Sequence, residues 1–251
     1  MDKAYEIAFM TRSPDKRKSR PAARRSNVED FLRDVAQVRP ASAAQGRKGR
    51  LVFALDATMS RQPTWDRACR IQGDMFLETA AIGGLTVQLV YFRGYRDCRA
   101  SAWTDTPERL AELMTGVACR GGMTQIGRVL KHIRKQAKGP DGVDAAVYIG
   151  DACEEAADPL CHLAGELGML GVPLFLFHEG GDPVAGAAFK EMARLSGGAY
   201  APFDSASPGQ LRDLLRAVAA YAAGGRAALE DHAGGSDVGQ RLLLQMRGPA
   251  A

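Results

Sequence analysis

Asp56, Thr58 and Ser60 stand at alternate positions directly after an apolar run, Leu51-Val52-Phe53-Ala54-Leu55. A carboxylate followed by two hydroxyls offers oxygen donors only, a set that suits a hard cation such as Mg2+ better than Zn2+. Two more stretches carry groups of the same kind. Gly121-Gly122-Met123-Thr124 places a hydroxyl in a glycine loop that opens a helix, and Ile149-Gly150-Asp151 places a second carboxylate at the end of another apolar run. By itself Asp-x-Thr-x-Ser also fits a plain turn, in which Asp56 and Ser60 bond to nearby backbone. The elements around these residues have to separate the two readings.

Leu51–Leu55 is short, apolar and preceded by the polar Gly46-Arg47-Lys48-Gly49-Arg50, which predicts a strand buried on both faces. Pro63 starts a helix that ends at Gly83-Gly84. Strands are then expected over 85–92, 145–149, 172–177 and 199–203, with a short antiparallel strand over 100–103. Helices are expected over 107–117, 125–138, 156–170, 183–195 and 208–223, several with Thr, Asp or Pro at their starts. Buried strands alternating with helices mean an α/β fold: a doubly wound, mostly parallel six-stranded sheet with helices on both faces. In such sheets ligands sit beyond the carboxyl ends of the strands, which is where Asp56 and Asp151 fall.

The three stretches, in this order, resemble the metal-ion-dependent adhesion site (MIDAS) of von Willebrand factor type A (VWA) domains. That family carries Asp-x-Ser-x-Ser after its first strand, then Gly-Gly-x-Thr, then a strand ending in Asp. Thr58 replaces the first serine and keeps its hydroxyl. Met192-Ala193-Arg194-Leu195-Ser196-Gly197-Gly198-Ala199-Tyr200 also looks like the family's helix-Gly-Gly-strand signature, so the likeness spans roughly Arg50 to Ala223. It implies a Rossmann-like strand order 3-2-1-4-5-6, in which strands 1 and 4 are neighbours and Asp56 and Asp151 face one crevice. It further implies Mg2+ or Mn2+ as cofactor. Thr58 and Ser60 would bind it directly, Thr124 directly or through water, and the aspartates often through water. One position would stay open for an Asp or Glu of a protein partner. Met59 and His178 lie on the same rim as candidate partner contacts, against the plainer readings of a packing residue and a solvated loop histidine. Glu154 and Glu155 are accounted for by the dipole of the helix they precede, with a supporting role behind the metal ligands as the alternative.

Composition bounds the rest. Of 251 residues, 46% are hydrophobic and 25% charged, ordinary globular values. Residues 1–50 hold 13 Lys/Arg against 6 Asp/Glu, a surplus of +7, whereas the other residues hold 20 against 23. The expected organisation is a basic, largely disordered tail over 1–49 with a short helix at 28–38, a VWA-like domain over 50–223, and an Ala/Gly-rich tail over 224–251. That last segment shows no core of its own, with a docking helix at 238–246 as an option. Weak nucleic-acid contact by residues 1–27 is one alternative function. A metal-dependent hydrolase on an α/β sheet is the other. A phosphohydrolase of the aspartyl-nucleophile kind would want an acid where Thr58 stands, and neither Gly-x-Ser-x-Gly nor Gly-x-x-x-x-Gly-Lys-[Ser/Thr] occurs. No membrane span or secretory leader is apparent, and five cysteines without a Cys-x-x-Cys suggest reduced thiols. The sequence therefore points to a cytoplasmic, non-enzymatic protein-interaction module.

Overall fold

The computed structural model describes residues 47–80, 84–204 and 208–246. The basic segment 1–27, the expected helix at 28–38 and most of the linker after it lie outside the described residues. Six strands make one sheet: β1 (Gly49–Asp56), β2 (Leu85–Arg93), β3 (Asp97–Thr104), β4 (Ala145–Gly150), β5 (Leu174–Glu179) and β6 (Ala199–Phe203). Their order is β3-β2-β1-β4-β5-β6, with β3 antiparallel and the other pairings parallel. This is the doubly wound α/β sheet that the alternation of strands and helices predicts.

The pleat of β1 assigns the two faces. Leu51, Phe53 and Leu55 point into one core with α1 (Gln62–Ile71), α2 (Gly73–Thr79), α3 (Pro107–Thr115), α7 (Pro208–Ala233) and α8 (Asp237–Met246). Val52 and Ala54 point into the other, against α4 (Ile126–Ala137), α5 (Ala157–Met169) and α6 (Pro183–Ser196). Tyr148 of β4 belongs to that second core, near-parallel to Phe92 and edge-on to Phe189. No helix among the described residues is long and apolar enough to cross a membrane.

Several boundaries differ from the sequence reading. The helix expected from Pro63 to Ile82 is interrupted after Ile71, where Gln72 turns its side chain to the carbonyl of Pro107 at 3.0 Å. β5 continues through His178 and Glu179, which had been expected in a loop, because both keep their pairing with Pro202 and Phe203 of β6. The last long helix runs ten residues past Ala223, kinked at Gly225, where φ is 69°. Beyond that limit Leu229, Ala233, Leu242 and Leu243 are buried in the first core, so apolar side chains of the 224–246 stretch do join a core. α8 also covers the sheet edge: Gln245 accepts the Tyr200 amide at 2.8 Å and donates to the Tyr200 carbonyl at 2.9 Å. An amide side chain thus takes the place of a neighbouring strand on β6, which leaves fewer edge groups open to pairing.

Candidate metal site

Leu55 pairs with Ile149, so Asp56 and Asp151 leave neighbouring strands at the same level of the sheet. Asp56 is 3% exposed, and its carboxylate accepts the Thr58 amide at 2.7 Å. Burial pushes its pKa up to about 6; the hydrogen bond from Thr58 opposes the shift and the nearby Asp151 adds to it. The Thr58 and Ser60 hydroxyls lie 3.3 Å apart, and Ser60 donates to Asp151 at 3.1 Å. A line of oxygens therefore runs from β1 across to β4. The loop before α4 is laid beside it by backbone bonds: Ala57 donates to Phe92, and Arg120 donates to Ala57. Gly122 has no room for a side chain, since a Cβ there would fall 2.1 Å from the Gly94 carbonyl oxygen.

Thr124 sits in that loop, buried, and is tied to the β4–α5 loop. Its hydroxyl accepts the Glu154 amide at 3.0 Å, and its own amide donates to the Glu154 carboxylate at 2.8 Å. Glu155 accepts from Ile126 and Gly127, the first amides of α4. Both acids thus act on the glycine loop and the start of α4 instead of on the helix that follows them. The physical reason is that the N-cap of α4 is Gln125, whose side chain makes no cap, so the orphan amides of the first turn need an acceptor from elsewhere.

Two further groups at the crevice, Arg61 and the Tyr148 hydroxyl, had no signal in the sequence beyond residue type. Arg61 follows Ser60 directly and is 2% exposed. Its Nη1 pairs with Glu179 at the end of β5, and Thr64 donates to the same carboxylate oxygen. Its Nε lies 4.0 Å from Asp151 and has no hydrogen-bond partner. The Tyr148 hydroxyl, buried against Gly150, has none either.

The predicted residues divide accordingly. Asp56, Thr58, Ser60 and Asp151 are brought together, and Thr124 is held on the adjoining loop. Met59 is 61% exposed at the rim, with Tyr95 and Met123 also exposed on loops at that end of the sheet. His178 is not on the rim. It is 2% exposed, edge-on to Phe189, within 2.9 Å of the Tyr200 hydroxyl and 3.4 Å of the Asp151 carbonyl. Its role as a partner contact is corrected to support beneath the Asp151 loop: a polar residue closing an apolar run reads as the start of a loop, whereas β5 continues through His178 and turns its side chain inward.

As a donor set the crevice fits a hard cation. Among the described residues no group of three or more His, Cys, Asp or Glu side chains gathers for a metal. A cation here would rest on two carboxylates and hydroxyls and keep part of its water, as Mg2+ does. The two unpartnered polar atoms, Arg61 Nε and the Tyr148 hydroxyl, are what a water shell at this point would satisfy.

No protein-family model matches the sequence, and no curated protein matches it. Solved structures do match the fold. A von Willebrand factor type A structure from Catenulispora acidiphila aligns with TM-score 0.57 and 15% identity over 70% of this chain, which spans 43% of that one. The SpRpn10 VWA domain aligns with TM-score 0.53 and 13% identity over 68% of this chain and 95% of its own. Proximal thread matrix protein 1 from the mussel byssus, described with a zinc-occupied MIDAS motif, aligns with TM-score 0.51 and 20% identity over 70% of this chain and 48% of its own. At these identities the likeness is one of fold.

Proposed function

We propose that this chain, which has the fold of a von Willebrand factor type A domain, is a protein-interaction module that holds an acidic group of a partner through Mg2+ or Mn2+ between β1 and β4. The observation that carries this reading is the run of side-chain oxygens of Asp56, Thr58, Ser60 and Asp151, joined through the Thr58 amide and the Thr58 and Ser60 hydroxyls, which spans both strands. Asp56 and Asp151 supply two negative charges, and the Thr58 and Ser60 hydroxyls add lone pairs without adding charge. The bound cation would supply an electrophilic position for an anionic oxygen of the partner. Exposed Met59 and Met123 offer apolar contact beside it. The reading is non-catalytic: His178 faces the Asp151 carbonyl and the Tyr200 hydroxyl, so it is not paired with the Ser60 hydroxyl as a base would be. An intracellular setting agrees with five cysteines that form no disulfide, of which Cys69, Cys98 and Cys119 are pushed up to about 11, mainly by burial.

The test is capture from a displayed peptide library under Mg2+ and under EDTA, with Asp56→Ala alongside. Recovery of Asp- or Glu-bearing peptides is expected under Mg2+ in the parent alone. Equal recovery in all three arms would overturn the reading.

A further inference from the structure

We propose that Arg61 sets how tightly the β1–β4 crevice holds a divalent cation; the inference rests on the reading of that crevice as a metal site. An arginine stays charged in a protein, and one that is 2% exposed has lost most of the water that would screen it. Its guanidinium lies between two carboxylates: Nη1 pairs with Glu179 on β5, and Nε stands 4.0 Å from Asp151 without a hydrogen bond. Arg61 is thus a resident cation at the edge of the site that a divalent ion would occupy, and it repels that ion. Glu179, steadied by Thr64, holds the guanidinium on the β5 side. Without the Glu179 charge, Asp151 becomes the nearest carboxylate to Arg61 and is drawn away from the metal. The two residues therefore act with opposite signs: Arg61 weakens cation binding, and Glu179 limits that weakening.

The probe is Mn2+ alone, with the free ion counted by electron paramagnetic resonance and folding followed by circular dichroism. Arg61→Met removes the charge at similar length and should bind Mn2+ about tenfold tighter or more. Arg61→Lys keeps the charge and should stay within about threefold of the parent, which separates electrostatics from packing. Glu179→Gln should bind several-fold more weakly. Arg61→Met strands Glu179 in a partly buried position, so Arg61→Met/Glu179→Gln provides a charge-matched variant that is also expected to bind more tightly than the parent. If neither Met variant binds more tightly, or if Arg61→Lys binds as tightly as Arg61→Met, the inference is overturned. Equal binding by every variant overturns this inference alone. Absence of Mn2+ binding throughout, in folded Arg61→Met as well, overturns the metal site itself.

Discussion

The β1–β4 pair carries a buried aspartate at each end, and the two are treated differently. At the amino end Asp144, just before β4, accepts the Arg50 amide at 2.8 Å on one oxygen and the Arg47 guanidinium on the other. At the carboxyl end Asp56 accepts one amide and touches no cation. Burial raises both pKa values, against the arginines in one case and against little more than Thr58 in the other. The Asp144 end is a staple, with its acceptors filled by the chain itself. The Asp56 end keeps unfilled capacity, and two buried polar atoms without partners lie beside it. Burial of an acid does not by itself mark a site. Burial without committed partners does so better.

The largest effect should come from the staple. Asp144→Ala leaves the Arg50 amide and the Arg47 guanidinium without their acceptor, at a cost of about 2 kcal/mol. For a chain of this size that is a drop of about 4–8 °C in melting temperature, with or without metal. Added Mg2+ comes next and should act only at the other end. At ten times its dissociation constant it stabilises the fold by about 1.4 kcal/mol, or about 3–6 °C. The shift should vanish in Asp56→Ala and persist in those Asp144→Ala molecules that fold. A Mg2+ shift that survives Asp56→Ala would erase the distinction between the ends.

Asp56→Asn should have the opposite sign to Asp144→Ala when both are melted in EDTA. A carboxyl whose pKa rises on folding contributes most below its unfolded value near 4 and loses that contribution as pH rises through about 6. At pH 7.5 the ionised Asp56 therefore opposes folding, and the neutral amide should gain about 1 kcal/mol. The gain should shrink to nothing towards pH 4. Mg2+ affinity of the parent should fall about tenfold per pH unit below about 6, since the proton and the cation compete for one carboxylate. A destabilised Asp56→Asn at pH 7.5 would mean that Asp56 is a staple too.

The sequence carried the scaffold and the first ring of donors better than what surrounds them. Leu51–Leu55 and Ala145–Ile149 are apolar runs that end abruptly in Asp56 and Gly150-Asp151, so strand ends and carboxylates were legible together. Arg61 was not, because nothing in Ser60-Arg61-Gln62-Pro63 says that an arginine will be buried; its partner is Glu179, 118 positions away, and β5 brings it there. Glu154 and Glu155 were visible as an acidic pair, yet which helix they serve depends on how the loop before α4 is folded. His178 is misplaced because the apolar run stops at Phe177 while β5 runs on to Glu179; a strand residue at that position is covered by Phe189 of α6, whereas a loop residue there would meet water. The segment after Ala223 reads as Ala- and Gly-rich, and the burial of Leu229 and Leu242 is set by tertiary packing that a local pattern does not contain.

The smallest expected effect separates two tyrosines on one side of the sheet. The Tyr200 hydroxyl is 2.9 Å from His178 Nδ1, whereas the more deeply buried Tyr148 hydroxyl meets no partner among the described residues. A buried hydroxyl without a hydrogen bond costs free energy, so Tyr148→Phe should raise stability in EDTA by about 0.5 kcal/mol while keeping the ring contacts with Phe92 and Phe189. Tyr200→Phe should lower stability by about 1 kcal/mol, because it leaves the Nδ1 of His178 without its partner. With Mg2+ present, the advantage of Tyr148→Phe should disappear if the cation brings ordered water within reach of that hydroxyl, since the parent then recovers the missing bond. Melting both variants in EDTA and in Mg2+ gives a pair of differences for each tyrosine, and only the Tyr148 pair is expected to differ between the two conditions. A loss of stability for Tyr148→Phe in EDTA would show that the hydroxyl is already satisfied without metal, and the contrast between the filled and unfilled ends of the β1–β4 pair would then rest on Asp56 and Arg61 Nε.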